Sequence, residues 1–451
     1  MAVILVQGEG LPEGAWAAAE SRAAWALDWR SDRRNAVLDC AGLPLPEGDD
    51  GPLARDFLDV ATALYLADLA ARRGENEAWV RDVELILAVR EPDFWHAEQA
   101  ALARLLLRMT GDNFSFDFYP RAAAEEAPTA AGETWLHTDS VCLLSGGLDS
   151  AAGAVMLLRT ERSPRLVMHR SGNPAVAQAQ DRVTGIFEEK WPDQFRLSQV
   201  RLAPSSHRTG ALPFPAPGER ETSRRCRSLL FMTLGALAAV AEEVEEVYLC
   251  DNCLLTSAVP LTEARTGSFT THSTHPAVLA EFGRLLEHAG WHVQVLNPLA
   301  CQTKGEIIRT LLQPVLSPAE IAQTVSCWAI GRQQRQCGGC LPCLVRRFGL
   351  LAAGQPDEVY AVDVLAHPRS LVGTDAYRNL LDLLAFTSRV LSTPEVRLPL
   401  EYPALLEVAE GDTQVRDVAR GLRRQATEIF EVVQRRFPAA AQLMGELRQR
   451  Q

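Results

Sequence analysis

Short apolar runs alternate with polar breaks through the first 120 residues. Segments 2–6, 24–28 and 36–39 are brief and apolar-rich, which predicts strands. Phe57, Val60, Leu64 and Ala71 recur mostly at three-to-four spacing, so 56–71 is predicted as an amphipathic helix. A strand over 84–89, a helix over 95–109 and an alternating strand over 114–118 complete a mixed α/β segment. It holds no recognisable catalytic constellation. The stretch 122–132 (AAAEEAPTAAG) is small, acidic and Pro-containing, and reads as a linker.

Beyond it, predicted strands at 140–144, 166–169, 195–202, 246–250 and 292–296 alternate with helices at 150–159, 176–190, 224–241 and 277–289. That alternation implies a parallel sheet covered by helices. The apolar run 229–241 (LLFMTLGALAAVA) is shorter than the ~20 residues a bilayer helix needs and reads as a buried helix. From about Gly373 the pattern turns helical. Val415, Val418, Leu422, Ala426, Ile429 and Val433 form a stripe that is either core packing or a partner-binding face. The expected organisation is an N-terminal α/β accessory domain (1–121), a linker (122–135), an α/β catalytic domain (136–325), a four-cysteine module (326–350) and a helical C-terminal region (351–451).

Composition narrows the function classes. A chain of 451 residues is expected to form two or three units. Its 47% apolar and 23% charged residues are ordinary globular usage. A net charge of −12 argues against a bulk electrostatic nucleic-acid binder, although a local basic groove is allowed. The start, MAVILVQGEG, lacks the basic region of a signal peptide, so a cytoplasmic location is expected. There the ten cysteines stay reduced and available to metal or chemistry.

The most informative stretch is 141–158. An apolar strand runs into Ser145-Gly146-Gly147-Leu148-Asp149-Ser150 and then into a helix. Two glycines let backbone N–H groups approach an anion closely, and the helix N-terminus points its partial positive charge at the same place. Ser145 and Ser150 add hydroxyl donors. Asp149 makes sense as a ligand of phosphate-bound Mg²⁺. The motif is neither G-x-x-x-x-G-K-[ST] nor G-x-G-x-x-G. It resembles the PP-loop of the ATP pyrophosphatases, which cleave ATP between the α and β phosphates. On this reading Asp149→Ala abolishes ATP turnover with the fold intact.

Cys327, Cys337, Cys340 and Cys343 have the spacing C-x9-C-x2-C-x2-C, with Gly338, Gly339 and Pro342 suited to the turns. In a reducing compartment this indicates a closed Zn²⁺ site, with an iron–sulfur cluster as the alternative. Trp328 is expected to pack beside the module. Arg332 and Arg335 lie in the intervening loop, either exposed or reaching phosphates. Cys250 and Cys253 form a solitary C-x2-C after a predicted strand, as active-site wall or simple packing. Cys40, Cys142, Cys226 and Cys301 read as small buried hydrophobes.

Together the SGGLDS and SCW…CGGCLPC stretches resemble the 7-cyano-7-deazaguanine synthase (QueC) family over about 140–350. The segment from Cys226 to Phe231, the strand end Leu249-Cys250-Asp251 and the helix start from Thr303 to Ile308 extend the similarity. The resemblance implies that ATP activates the carboxylate of 7-carboxy-7-deazaguanine as an acyl adenylate, which ammonia converts to an amide and then a nitrile. It implies that 145–150 holds pyrophosphate, that Arg227 and Lys304 stabilise negative charge, and that Asp251 contacts Mg²⁺ or the base. Glu306 is equally a helix-start charge. Cys226 and Ser228 depart from the family's Gly and Asn, and the segment before Pro276 differs from its short substrate loop. The added N- and C-terminal regions are similar to those of QueC-like proteins in antiphage operons such as Qat and type IV CBASS, where the acceptor is thought to be the N-terminal amine of a partner protein.

His272 and His275 lie in the TTHSTH loop. They are read as substrate or ATP contacts, a metal pair, or plain surface. Three functions follow: an acyl-transferring enzyme with a protein partner from the same operon, a nitrile-forming synthase, or a catalytically silent nucleotide-binding scaffold.

Overall fold

The computed structural model describes residues 1–6, 11, 19–74, 80–121, 137–205, 209–262, 272–331, 335–410 and 413–450. The stretch read as a linker lies outside them, as does Arg332. The described part is mixed α/β with two sheets, followed by a helical C-terminal region.

The first sheet has the order β2-β1-β4-β5 and is parallel throughout. Its strands are β1 (Ala2–Val6), β2 (Trp25–Leu27), β4 (Asp82–Val89) and β5 (Asn113–Pro120). Helices α1 (Gly51–Ala70) and α2 (Pro92–Thr110) accompany it. Both begin one turn earlier than the apolar periodicity suggests, because Pro52 and Pro92 occupy first-turn positions that need no amide hydrogen. The strand at 36–39, read as part of this N-terminal group, goes elsewhere. As β3 (Ala36–Asp39) it forms an antiparallel edge on the second sheet.

The second sheet has the order β10-β9-β6-β7-β8-β3. Strands β6 (Ser140–Leu143), β7 (Pro164–His169), β8 (Arg196–Pro204), β9 (Glu246–Tyr248) and β10 (Gln294–Leu296) run parallel. Helices α3 (Leu148–Leu158), α4 (Pro174–Lys190), α5 (Arg227–Ala241) and α6 (Pro276–His288) connect them. Alternation along β6 divides the core. Val141 and Leu143 join a cluster shared with α1, α2 and α5, while Cys142 and Leu144 join one with Val155, Leu166, Met168 and Ile308. Gly235 lets α5 lie directly on the sheet, since a Cβ there would meet Val247 Cγ1 at 2.8 Å and Leu143 Cδ2 at 3.0 Å. The run 229–241 is thus a helix packed on the sheet, and no described helix is long and apolar enough to cross a membrane.

A buried polar knot ties the two sheets together. Arg73 and Arg81 both pair with Asp112, and Arg81 also pairs with Asp68 at 2.6 Å. The second oxygen of Asp68 accepts the Cys226 N–H at 3.0 Å, at the head of α5. The N-terminal segment therefore fixes where α5 begins.

After β10 come α7 (Lys304–Ile307) and α8 (Leu341–Ala352), then α9 (Asp375–Ser392), α10 (Val415–Arg436) and α11 (Pro438–Arg450). The α10 stripe packs into a core with Phe348, Leu380, Leu383 and Leu384. It is interior packing, not a partner-binding face.

Candidate functional site

The SGGLDS turn joins β6 to α3 at the carboxyl edge of the second sheet, where open α/β sheets bind ligands. Gly146 has φ 83°, and a Cβ there would meet Gln180 Cγ at 2.9 Å, so the position requires glycine. The loop is held from within. Ser145 N–H donates to Ser150 Oγ at 3.1 Å, the two hydroxyls lie 2.9 Å apart, and Ser150 Oγ donates to Gly147 O at 3.0 Å. It is also held from outside, by Val325 N–H on Gly146 O at 3.0 Å and by Gln180 Nε2 on Ser145 O at 3.4 Å. Leu148 is buried in the core beneath. The α3 amides left without intrahelical acceptors face the turn.

Behind the loop Asp149 forms a buried ion pair with Lys304 Nζ. Asp149 Oδ2 also accepts from Asn252 Nδ2 at 2.9 Å, while Oδ1 is buried without a partner among the described residues. Lys304 is 5% exposed, so it is an interior residue. A Cβ at Gly349 of α8 would overlap its Cγ, so glycine there makes room for the lysine stem. Gly349→Val should displace the ammonium and lower activity at least ~10²-fold, as loss of a positioned charge does. A zinc content equal to wild type would show that the neighbouring module survived, and an unchanged rate would refute the Lys304 assignment.

The lysine is placed by the C-terminal region. Thr303 caps α7 in a capping box with Glu306, whose Oε2 accepts Thr303 N–H at 2.9 Å. This realises the helix-start reading of Glu306. From α10, Gln425 Oε1 accepts Lys304 N–H at 2.9 Å, Glu428 Oε1 accepts from Thr303 Oγ1 at 2.7 Å, and Arg424 pairs with Glu306 at 2.6 Å. Gln425, Glu428 and Asn252 carry no motif in the sequence. Gln425 and Glu428 matter only because α10, 120 residues downstream, folds back on α7.

Asp251 follows β9, and its carboxylate accepts from Thr274 Oγ1 at 3.1 Å. Its backbone is gripped by Asn297, which accepts the Asp251 N–H and donates to its carbonyl. Burial, and then the charge of Asp149, push the Asp251 pKa up to about 7 against the pull of Lys304. A carboxyl whose folded pKa is raised weakens the fold once it ionises. Stability therefore falls as pH rises from the ordinary carboxylate range through about 7. Asp251→Asn should stabilise the chain at pH 8 by on the order of 2 kcal/mol and change little at pH 4, read by denaturant midpoints. Equal midpoints at pH 8 would place the carboxylate in water.

The remaining predicted residues spread around this pair. His275 is buried as the N-cap of α6, its Nδ1 accepting Ala277 N–H at 3.3 Å, which explains the residue structurally. His272 is partly buried, its ring 6.0 Å from that of His275. Among the described residues no metal-ligand group contains these histidines. Arg227 begins α5 with its guanidinium 5.6 Å from the Phe231 ring centroid. Its neighbour Ser228 hydrogen-bonds Ser273 at 2.6 Å, next to the Thr274 that holds Asp251. Cys250 lies against Gly153 and Cys253 is fully buried, so both serve packing. Cys142 and Cys226 are buried as expected, but Cys40 and Cys301 are only partly so.

Cys327, Cys337, Cys340 and Cys343 place their sulfurs within 4.8 Å of one another. The Cys337–Cys343 and Cys327–Cys340 distances are 3.8 and 4.0 Å. Four thiolates at ~2.3 Å from one Zn²⁺ have edges of about 3.8 Å. The set fits a single tetrahedral ion such as zinc and is too tight for a multi-iron cluster. Gly338 (φ 80°) turns where a Cβ would strike Val362 O, and Cys337 and Cys340 N–H groups point at cysteine sulfurs at 3.3 Å. Trp328, expected beside the module, is instead 60% exposed, because Ile330 and Tyr360 fill that position. Arg335 is exposed.

Residues 220–354 match the family described as "Queuosine biosynthesis protein QueC". A 7-cyano-7-deazaguanine synthase of Cupriavidus necator is 27% identical over 224 residues, covering 48% of this chain and 95% of the relative. Those of Ectopseudomonas mendocina (28% over 231 residues; 48% and 96%) and Synechococcus elongatus (27% over 239 residues; 49% and 95%) are similar to the same extent. Nearly whole relatives thus align with half of this chain, and that half is QueC-like.

Proposed function

We propose that the chain is an ATP-dependent ligase that adenylates a 7-deazaguanine carboxylate and transfers the acyl group to an amine, the N-terminus of a partner protein, in antiphage defence. The observation that carries this reading is the buried Asp149–Lys304 pair behind a glycine turn at a helix N-terminus. In the first step the substrate carboxylate oxygen bonds to the α-phosphorus, the α–β P–O bond breaks and pyrophosphate leaves. The turn and the α3 amides hold the departing phosphates. The Lys304 ammonium offsets charge that develops near the α-phosphate, and Arg227 does so from the α5 side. The orphaned Asp149 Oδ1 is the atom that would hold a Mg²⁺ ion, which when bound would offset negative charge on the phosphates. In the second step the amine lone pair attacks the acyl carbon, AMP leaves, and the amine proton passes to a base. Asp251, with a pKa of about 7, has the basicity for that transfer near neutral pH.

Half of the chain lies outside the aligned relatives, and it contributes to the site. Gln425 and Glu428 set the lysine, and Asp68 sets the start of α5. A stand-alone nitrile-forming enzyme needs neither addition, which favours a larger acceptor than ammonia. The activity named for the relatives favours the second reading, a 7-cyano-7-deazaguanine synthase. Intact-mass spectrometry of a co-expressed protein from an adjacent gene decides. A deazaguanine acyl mass on its N-terminus is expected, a dialysable nitrile formed with ammonia would replace the first reading by the second, and no AMP with any carboxylate would overturn both.

A further inference from the structure

Arg220, Arg224 and Arg227 stand together at the head of α5, and none has a carboxylate partner among the described residues. This contrasts with the arginines around them. Arg73 and Arg81 are each neutralised by aspartate in the adjoining knot. The three guanidinium groups lie close enough to Tyr65 of α1 for all of them to pull its pKa down, against burial and the charge of Asp68, which is itself paired with Arg81. Two are pinned over aromatic rings: Arg220 lies 5.1 Å from the Phe214 ring centroid and Arg227 5.6 Å from that of Phe231. Arg220 Nε is anchored on Pro215 O at 2.8 Å, and Arg224 is held in the left-handed region at φ 49°. Such a backbone conformation is unfavourable for a non-glycine residue and persists only where the surroundings impose it.

His169, at the end of β7, stacks near both Tyr65 (5.8 Å) and Phe231 (5.6 Å), and burial followed by the Arg227 and Arg224 charges lowers its pKa to about 4. It is therefore neutral at pH 7. The recess borders the nucleotide turn, since Gln180 Nε2 bridges His169 O and Ser145 O at 3.0 and 3.4 Å.

We propose that this recess is an oxyanion site for a phosphate group, built by Arg220, Arg224 and Arg227 with Tyr65 beside them. Three neighbouring positive charges favour a ligand with more than the single charge of a carboxylate, and planar guanidinium forks match phosphate oxygens bidentately. The phenol of Tyr65 adds a neutral donor from the N-terminal segment. Two sources share this chemistry: the polyphosphate of a nucleotide seated on the neighbouring turn, and a separate phosphorylated ligand. The Arg227 role above touches this recess, but the site needs only the guanidinium set and would outlast a failure of the acyl-transfer reading.

Calorimetric titration of the full chain with inorganic pyrophosphate at low salt tests it, on the wild type, R220Q/R224Q and G146V. R220Q/R224Q should weaken binding at least tenfold with an unchanged melting profile. If G146V still binds, the recess is a separate site. If G146V also fails, turn and recess grip one polyphosphate. Either result upholds the proposal. Wild-type affinity in R220Q/R224Q, or no pyrophosphate binding by the wild type, overturns it. Loss in G146V alone would leave the turn as the phosphate site and remove the recess.

Discussion

Asp149→Ala is expected to reduce AMP formation at least ~10²–10³-fold and also to destabilise the chain by about 3–5 kcal/mol. The first effect follows from the place of the carboxylate behind the glycine turn. The second follows from its partner. Lys304 is interior, its ammonium is paired with Asp149, and its backbone is fixed by Gln425. Truncating the aspartate strands a buried cation, which costs far more than the pair itself contributes. The double variant Asp149→Leu/Lys304→Met removes both charges and should recover most of the stability while remaining inactive. A double-mutant cycle in denaturant, with AMP release followed alongside, separates the two effects. If Asp149→Ala unfolded at the wild-type midpoint, the pair would be hydrated and the site misplaced. If it made AMP at the wild-type rate, the turn would not be where ATP reacts.

That double effect marks the limit of what the sequence makes legible. SGGLDS is local: a strand, a turn and a helix that meet within ten residues, so its geometry can be read directly. The alternation of strands and helices is equally local, and the second sheet follows from it. The sequence alone treats Asp149 as removable without cost to the fold, because its ion pair spans 155 residues and leaves no spacing signal. The same holds for Gln425 and Glu428, which look like ordinary helix-surface residues until α10 packs on α7. β3 is a further case. Its apolar pattern marks a strand, but only the tertiary fold decides which sheet edge it completes. His275 is another such case, since nothing in the local sequence marks it as the residue that caps α6.

Losing a metal held by the four cysteines should reach the glycine turn as well as the cysteine module. Cys340→Ser replaces a thiolate with a hydroxyl that stays protonated at neutral pH, so the ligand set falls to three. Most of the bound zinc should be lost, and thermal stability with it. The apparent ~10–16 kcal/mol that zinc contributes to small zinc-dependent folds sets the upper limit of the effect. The damage should spread in two directions. The segment leading into Cys327 donates Val325 N–H to Gly146 O, and Asn173 of the α4 cap bonds Ile330 O at 3.0 Å, so the module buttresses the turn. On its other side Asn379 of α9 donates to Gly339 O at 2.9 Å, and Val362 N–H bonds Cys337 O. A chelator strong enough to strip the wild type should therefore weaken ATP binding before the sheets unfold. Metal analysis, melting and ATP titration on the same sample check this. Zinc retained at one per chain in Cys340→Ser would show that the four sulfurs do not close around an ion. Full ATP affinity after stripping would show that the turn stands without the module, and that the Val325 bond is incidental to it.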